Sequence, residues 1–466
     1  MAGQNRIKNV DRLLATGDVE SRKAVLGVVA DVLDHLDSRR VIKDLLRWDG
    51  RYLTIGDLRW DLKKKRRVIV VGAGKAGNAM ALGVEETLGR RITNGLVIVK
   101  TIDSEDRLEQ IELVEGGHPL PNEKGLEASR RLLRIVDQAG ADDLFLGLIS
   151  GGSSALMSCP VPGISMDDEV EATELLLKSG ARILEINAVR RHISATNGGR
   201  LAQRIERLGA EMINLILSDS VGARPTANPE KPVLFFGTPV APDGTTLEDA
   251  REVLSKYGLD KRVPVAIRNY LETEDPDRET PKTLGPSIRH FVLERPADAC
   301  EAAREAAATR GLPGIILTTV LEGESAQAGG FLSCIAREAK LNGRPAPCPC
   351  ILIAGGETTT RVDGRCGHGG PSQELALGFA LEASGQAGIS IAAVDTDGTD
   401  GPTDLAGGLA DGQTVCRARD LGINIYDRLA GHDSSGVLRA LGDEIVTGNT
   451  GTNVCDLNVI YVGPEG

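Results

Sequence analysis

Short apolar runs alternate with amphipathic stretches along most of this chain. Val68-Ile69-Val70-Val71, Leu96-Val97-Ile98-Val99, Leu144-Phe145-Leu146-Gly147-Leu148-Ile149 and Asn214-Leu215-Ile216-Leu217 are too short for helices. Each predicts a strand buried on both faces. Between them residues 125–139 are amphipathic, and Leu26, Val29, Leu33 and Leu36 recur at helical spacing, predicting one or two helices over residues 22–47 with Ser21 as the cap. Continuous apolar strands alternating with helices imply a mostly parallel sheet covered on both sides.

The rhythm breaks twice, at residues 226–246, rich in Pro, Gly and Asn, and at residues 272–287, charged and punctuated by proline. Both read as loop or linker. A second series follows, with helices predicted over residues 297–310, 326–341 and 373–383 and strands over 314–319, 351–354 and 389–394. At 466 residues the chain exceeds the size at which one core stops growing. The expected architecture is α/β in two domains: a Rossmann-like, mostly parallel sheet over residues 1–290 and a smaller α/β domain over residues 291–466.

Composition narrows the function classes. A net charge of −12 with only 3% aromatic residues removes both the basic surface and the stacking platforms of a nucleic-acid binder. The run Lys63-Lys64-Lys65-Arg66-Arg67 precedes a strand and reads as a solvated turn. No apolar run reaches membrane-spanning length, and the N-terminal residues lack the apolar core of a secretory signal, so a cytoplasmic protein is expected. Eight cysteines without paired C-x-x-C units do not form a disulfide scaffold, and Cys348-Pro349-Cys350 reads as two half-buried thiols entering a strand. Partners are then small molecules, with oligomeric state open between monomer and homodimer.

Candidate chemistry sits where predicted strands end. Gly72-x-Gly74-x-x-Gly77 satisfies a dinucleotide fingerprint, but the next strand ends in Lys100, where a nicotinamide site needs an acid for the ribose. Lys75 lies inside this turn, before a helix, and suits phosphate or carboxylate. The loop is no Walker A sequence, because Ala76 follows the lysine. Ser150-Gly151-Gly152-Ser153-Ser154 offers amides and hydroxyls for an oxyanion or phosphate, and it lacks the Gly-x-Ser-x-Gly elbow of a serine nucleophile. Arg191 falls four residues after Asn187 on a predicted helix, either as a carboxylate clamp or in a surface ion pair.

Two further loops gather carboxylates and hydroxyls on glycine-rich backbone, Gly355-Gly356-Glu357-Thr358-Thr359-Thr360 and Asp395-Thr396-Asp397-Gly398-Thr399-Asp400-Gly401. Glu357, Asp397 and Asp400 suit a divalent cation or a substrate hydroxyl. The second loop fails as a calcium loop, since its glycine is one place late and Ala406 stands where the closing Glu belongs. A magnesium ion shared with substrate phosphates fits better. No His-x-x-x-His or His-Glu-x-x-His spacing occurs, which argues against histidine-bound zinc.

Taken in order, these segments resemble the class II glycerate kinases, the glycerate 2-kinase family with a Rossmann-like N-terminal domain and a C-terminal domain of MOFRL type. The resemblance spans nearly the whole chain. It rests on the glycine turn, Glu115-Gly116-Gly117-His118-Pro119, the serine-glycine loop, Ile186-Asn187-Ala188-Val189-Arg190-Arg191-His192, the Glu357 loop, Gln373-Glu374-Leu375-Ala376, residues 395–404 and Thr450-Gly451-Thr452-Asn453-Val454. It implies transfer of the γ-phosphoryl of ATP, with a divalent cation (Mg2+), to the 2-hydroxyl of D-glycerate or a related hydroxy acid. It also makes Lys75 a catalytic cation.

The expected assignments follow. Lys75 and Gly74, with Ser150, Gly151, Gly152, Ser153 and Ser154, bind anionic groups; Arg191, beside Asn187, clamps the acceptor carboxylate; Asp219, Asp397 or Asp400 holds magnesium; Glu357 orients or deprotonates the hydroxyl. A cleft between the domains is the expected location. The chain departs from the family at Pro371, where the family has arginine in Gly-Gly-Arg-Asn-Gln-Glu, and at Asn197, where it has lysine. Arg361, Arg365 and His368 are the candidate replacements, and residues 221–225 depart from an expected acidic run. The rival readings are an NAD(P)H-dependent hydroxypyruvate reductase and a non-catalytic ligand-binding homologue.

Overall fold

A computed structural model describes residues 6–103, 106–221, 239–273, 275–362, 364 and 366–464. The chain divides into two compact units. One comprises residues 38–218 and 223–293, the other residues 1–37, 219–222 and 294–466.

In the first unit, a small antiparallel sheet of β1 (Leu46–Trp48), β2 (Tyr52–Ile55) and β3 (Leu58–Asp61) precedes the main sheet. The main sheet contains β4 (Arg67–Ala73), β5 (Asn94–Val99), β6 (Glu112–Glu115), β7 (Asp143–Ile149), β8 (Glu211–Leu217) and β9 (Ile288–Glu294), in the order β6-β5-β4-β7-β8-β9. The pairs from β6 through β8 are all parallel. Every residue of β7 is buried, as its unbroken apolar run predicted. Separate apolar clusters cover the two faces, one around Val70, Met80 and Leu146 and the other around Ile69, Leu132 and Phe145. A helical lobe formed by Met166–Lys178, Ile183–His192, Leu247–Lys256 and Val265–Glu272 has its own core around Leu176, Val189 and Ile267.

The basic run leading into β4 is exposed at Lys63, Lys64 and Arg66, as a solvated turn would be, and its last three residues also form ion pairs. Lys65 meets Glu211 at 2.7 Å, and Arg66 and Arg67 each meet the buried Asp143 at 2.6 Å, holding its carboxyl well below the usual range although burial opposes ionisation. Residues 272–287 end at an edge strand, β9, which periodicity alone had not marked.

The second unit carries a mixed sheet: β10 (Gly314–Leu321), β11 (Cys350–Gly356), β12 (Ile389–Asp395), β13 (Gly407–Asp411), β14 (Glu444–Ile445) and β15 (Asp456–Val462), ordered β10-β11-β15-β12-β13-β14. Among the described strands of this sheet, β10 and β11 are the one parallel pair. The last strand, β15, inserts antiparallel between β11 and β12. Residues 6–37 belong here, although the sequence reading had assigned them to the first domain. The reason is burial: Val25, Val29 and Leu33 of the helix Val19–His35 pack with Ala303, Ile353 and Val459. The helix cap is Asp18, whose carboxylate accepts the Ser21 amide at 3.3 Å, so Ser21 is not the cap. Fully buried Arg22 ties the helix to Asp411 and, at 2.7 Å, to Asp443. All eight cysteines are unbridged, with Cys350 buried and Cys348 half-buried, and among the described residues no helix is long and apolar enough to cross a membrane.

Candidate functional site

The glycine turn and the serine-glycine loop lie side by side because β4 and β7 are neighbours in register, with Ala73 opposite Ile149. Their contact is close. The Lys75 amide donates to Gly151 O at 2.9 Å, and the Ala76 amide donates to the Ser150 hydroxyl oxygen at 3.0 Å. Gly74, at φ +149°, has room for no side chain: a Cβ there would fall on Ser150 Oγ and lie 2.7 Å from its amide nitrogen. Gly152, at φ +82°, faces His118 and Lys75, whose Nε2 and Cγ would lie 3.1 and 3.4 Å from an added Cβ. The lysine stem, an imidazole and the loop backbone thus meet at Gly152. His118 belonged to a recognised motif but had no assigned role, because nothing local to it shows that the chain after β6 returns beside β7.

Asn197 and its neighbours connect this loop to the arginine helix. Asn197 is buried and donates from Nδ2 to Ser154 O at 3.2 Å, while Thr196 donates to Met157 O at 2.6 Å. The next residue, Gly198 at φ +65°, packs between Arg191 and Thr280. Arg191 makes an ion pair, but a shielded one rather than a surface one: its Nη1 meets the fully buried Asp243 side chain at 3.1 Å. Burial opposes ionisation of that carboxyl, yet Arg191 and Thr245 hold it below the usual range. His192 is fully buried, with Nδ1 2.7 Å from Ala188 O and Nε2 2.7 Å from Glu279.

In the other unit, the topology brings both carboxylate loops to one end of the sheet. Asp456, the first residue of β15, stands opposite Gly356 on one side and Asp395 on the other. Burial, then repulsion from Asp395, Asp400 and Glu357, pushes the Asp456 carboxyl well above the usual carboxylate range. Glu357 is exposed and Asp397 is 6% exposed. Asp397 Oδ1 accepts the Thr399 amide at 2.7 Å, and Asn453 donates to Asp219 at 3.4 Å. Asp395 opens the second carboxylate loop, whereas Asp456 carries no sequence signal of its own. An antiparallel terminal strand between β11 and β12 leaves no local signal.

Asp400 has a different place. Its two oxygens accept the amides of Ser372 and Gln373 at 3.1 and 2.9 Å, anchoring the start of the helix Pro371–Ala383. Burial raises its carboxyl to about 7 against those hydrogen bonds. Pro371 is the first residue of this helix, a position where a missing amide proton costs nothing. Arg361 and His368 lie exposed in the preceding segment, whereas Arg365 and residues 222–225 lie outside the described residues.

The carboxylates form a hard-oxygen set suited to magnesium, and a cation would relieve the repulsion around Asp456. Among the described residues, no three His, Cys, Asp or Glu side chains are grouped to hold a metal by themselves. An ion here would have to take one or two of these carboxylates and complete its shell on phosphate and water.

Comparison with known proteins matches both halves. The family model described as a domain of unknown function (DUF4147) matches residues 24–272, and the MOFRL family model matches residues 350–456. The chain is 37% identical over 446 residues to the glycerate 2-kinase of Pyrococcus horikoshii, covering 95% of this chain and 98% of that one. It is 41% identical over 391 residues to the D-glycerate 2-kinase of Thermotoga maritima, covering 84% and 89% respectively. The crystal structure of a Thermotoga maritima glycerate kinase aligns with a TM-score of 0.77 at 36% identity, over 94% of this chain and 99% of that one.

Proposed function

Because the chain belongs to the glycerate 2-kinase family, it is a phosphotransferase that phosphorylates glycerate, and we propose that it moves the γ-phosphoryl of ATP to the 2-hydroxyl of D-glycerate. The chemistry needs positive charge and preorganised donors around a phosphoryl group whose negative charge is spread over its oxygens. Lys75 supplies the charge. The observation that carries the reading is the convergence of Lys75, His118 and the serine-glycine backbone at Gly152.

In this reading the residues divide the work. Gly74 keeps the turn close to Ser150; the Ser150 and Ser153 amides are taken up by Ala73 O and Ser150 O, so an anion would be met by the other amides and the serine hydroxyls of residues 150–154. Arg191 receives the glycerate carboxylate, leaving the 2-hydroxyl toward the phosphoryl donor. Glu357, exposed beside Asp456, orients or deprotonates that hydroxyl. Magnesium, when bound, would neutralise charge on the phosphates; one or two of Asp219, Asp397 and Asp456 would hold it. Asp400 serves instead to fix the helix beginning at Pro371. We place the activity in the cytoplasm, where ATP is supplied.

A reductase has less support here, because β5 runs directly into Lys100, leaving no acid at the strand end for a nicotinamide ribose. The test is Lys75→Ala. Turnover of glycerate with ATP is expected to fall at least about hundredfold, the usual cost of removing one charge-stabilising group, with the fold retained by circular dichroism. A rate within about threefold of wild type would remove Lys75 from the mechanism.

A further inference from the structure

We propose that Asp243 and Thr280 are positioning residues for substrate recognition: they lock one edge of the Arg191 guanidinium and thereby aim its other edge at the acceptor carboxylate. This rests on the reading of Arg191 as the carboxylate clamp. Arg191 engages Asp243 Oδ1 through Nη1 at 3.1 Å. Its Nε is buried and has no hydrogen-bond partner among the described residues. A guanidinium offers two parallel donors along its Nε–Nη2 edge, the geometry that matches a carboxylate bidentately. Asp243 occupies the remaining nitrogen, so the matching edge is the one left for a ligand.

Asp243 is itself held from several directions. Its Oδ1 accepts the Thr245 amide and hydroxyl at 3.0 and 2.8 Å, and its Oδ2 accepts the Thr280 hydroxyl at 3.1 Å. Lys282 Nζ donates to Thr280 Oγ1 at 2.7 Å, which directs the hydroxyl proton toward an acceptor such as Asp243. The Asp243 side chain is fully buried and Arg191 is 14% exposed, so the pair is shielded from water. Gly198 completes the fit: a Cβ there would press against Thr280 Cγ2 at 2.8 Å and Arg191 Cβ at 3.2 Å. Thr280 and the Arg191 stem thus flank Gly198 closely, and the contact of Nη1 with Asp243 at 3.1 Å sets the orientation seen for the guanidinium. A loosely held arginine would serve as an ion pair, but bidentate recognition requires a fixed plane.

The test measures KM and kcat separately for Asp243→Asn, Thr280→Val, Thr280→Ser and Arg191→Ala in the full chain, with D-glycerate and ATP varied in turn. Removing the lock is expected to raise KM for glycerate about tenfold or more in Asp243→Asn and Thr280→Val, while kcat and KM for ATP stay within about threefold. Thr280→Ser, which keeps the hydroxyl, restores the wild-type KM. Combining Asp243→Asn with Arg191→Ala adds no further loss if the two act as one unit. A merely structural role would lower the melting temperature without this split. If Arg191→Ala raises KM for glycerate but both lock variants do not, the inference is overturned and the clamp stands. If Arg191→Ala leaves that KM unchanged, the clamp itself fails and the inference falls with it. Should Asp243→Asn not fold, Thr280→Val and Thr280→Ser decide the matter between them.

Discussion

Gly74→Ala probes whether the two loops of the parallel sheet form one preorganised surface. The glycine sits at φ +149°, a conformation that costs an L-residue roughly 1–3 kcal/mol. Its new methyl would collide with Ser150 Oγ and lie 2.7 and 2.8 Å from the Ser150 nitrogen and carbonyl oxygen, all contacts with one residue of a buried strand end. Overpacking of this kind costs about a further 1–3 kcal/mol. Relief requires the turn to lift away from β7, because two of the three contacts are backbone atoms that no rotamer change removes. Lifting it breaks the Lys75–Gly151 and Ala76–Ser150 hydrogen bonds, at 2.9 and 3.0 Å. Displacement of about 1 Å at a site of this type costs roughly hundredfold in rate. Steady-state kinetics with a parallel thermal melt should therefore show kcat/KM reduced at least about hundredfold, together with a lower melting temperature. If the variant retains kcat/KM within about threefold and melts like the wild type, the close approach of the loops is not what the site depends on.

Two further outcomes are expected. Glu279 is held down to about 2, since the Leu247 amide, Lys282 and His192 outweigh the burial that opposes its ionisation. Its contribution is thus full above the ordinary carboxylate range near 4.5 and lost as pH falls toward 2; Glu279→Gln should flatten acid unfolding across that window, and an unchanged profile would count against the assignment. Magnesium at millimolar concentration should raise the melting temperature of the wild type but not of Asp456→Asn, because the buried carboxylates repel one another until a cation joins them. An equal shift in both proteins would place the ion elsewhere.

Legibility followed physical locality. Strands β4, β5, β7 and β8, buried beyond their first residues, were readable from their apolar runs, and the glycine turns at the ends of β4 and β7 were readable because glycine conformation is a local demand. β9, with mostly half-buried residues, and the short strands β1 to β3 carry no such signature. The membership of residues 6–37 was hidden for another reason. An amphipathic helix announces an apolar stripe but not which sheet receives it, and Ile353 and Val459 lie more than three hundred residues away.

The site divides in the same way. Lys75 and Ser150 were found from their turns, yet the contact between those turns depends on β4 and β7 being neighbours. Asp456 escaped because its role comes from the antiparallel insertion of β15, and Asp243 because its partner is Arg191, 52 residues earlier. Pro371 looked from the sequence like the loss of a cation. At the first turn of a helix anchored by Asp400 it is a conformationally favoured residue.

The most direct measurement is product identification by mass spectrometry after incubating the purified chain with ATP, magnesium and D-glycerate, with NADH and hydroxypyruvate supplied in a separate reaction. ATP-dependent accumulation of 2-phosphoglycerate without nicotinamide oxidation is the expected result. It is contradicted by the absence of any phosphorylated product at saturating substrates, or by reduction of hydroxypyruvate in its place.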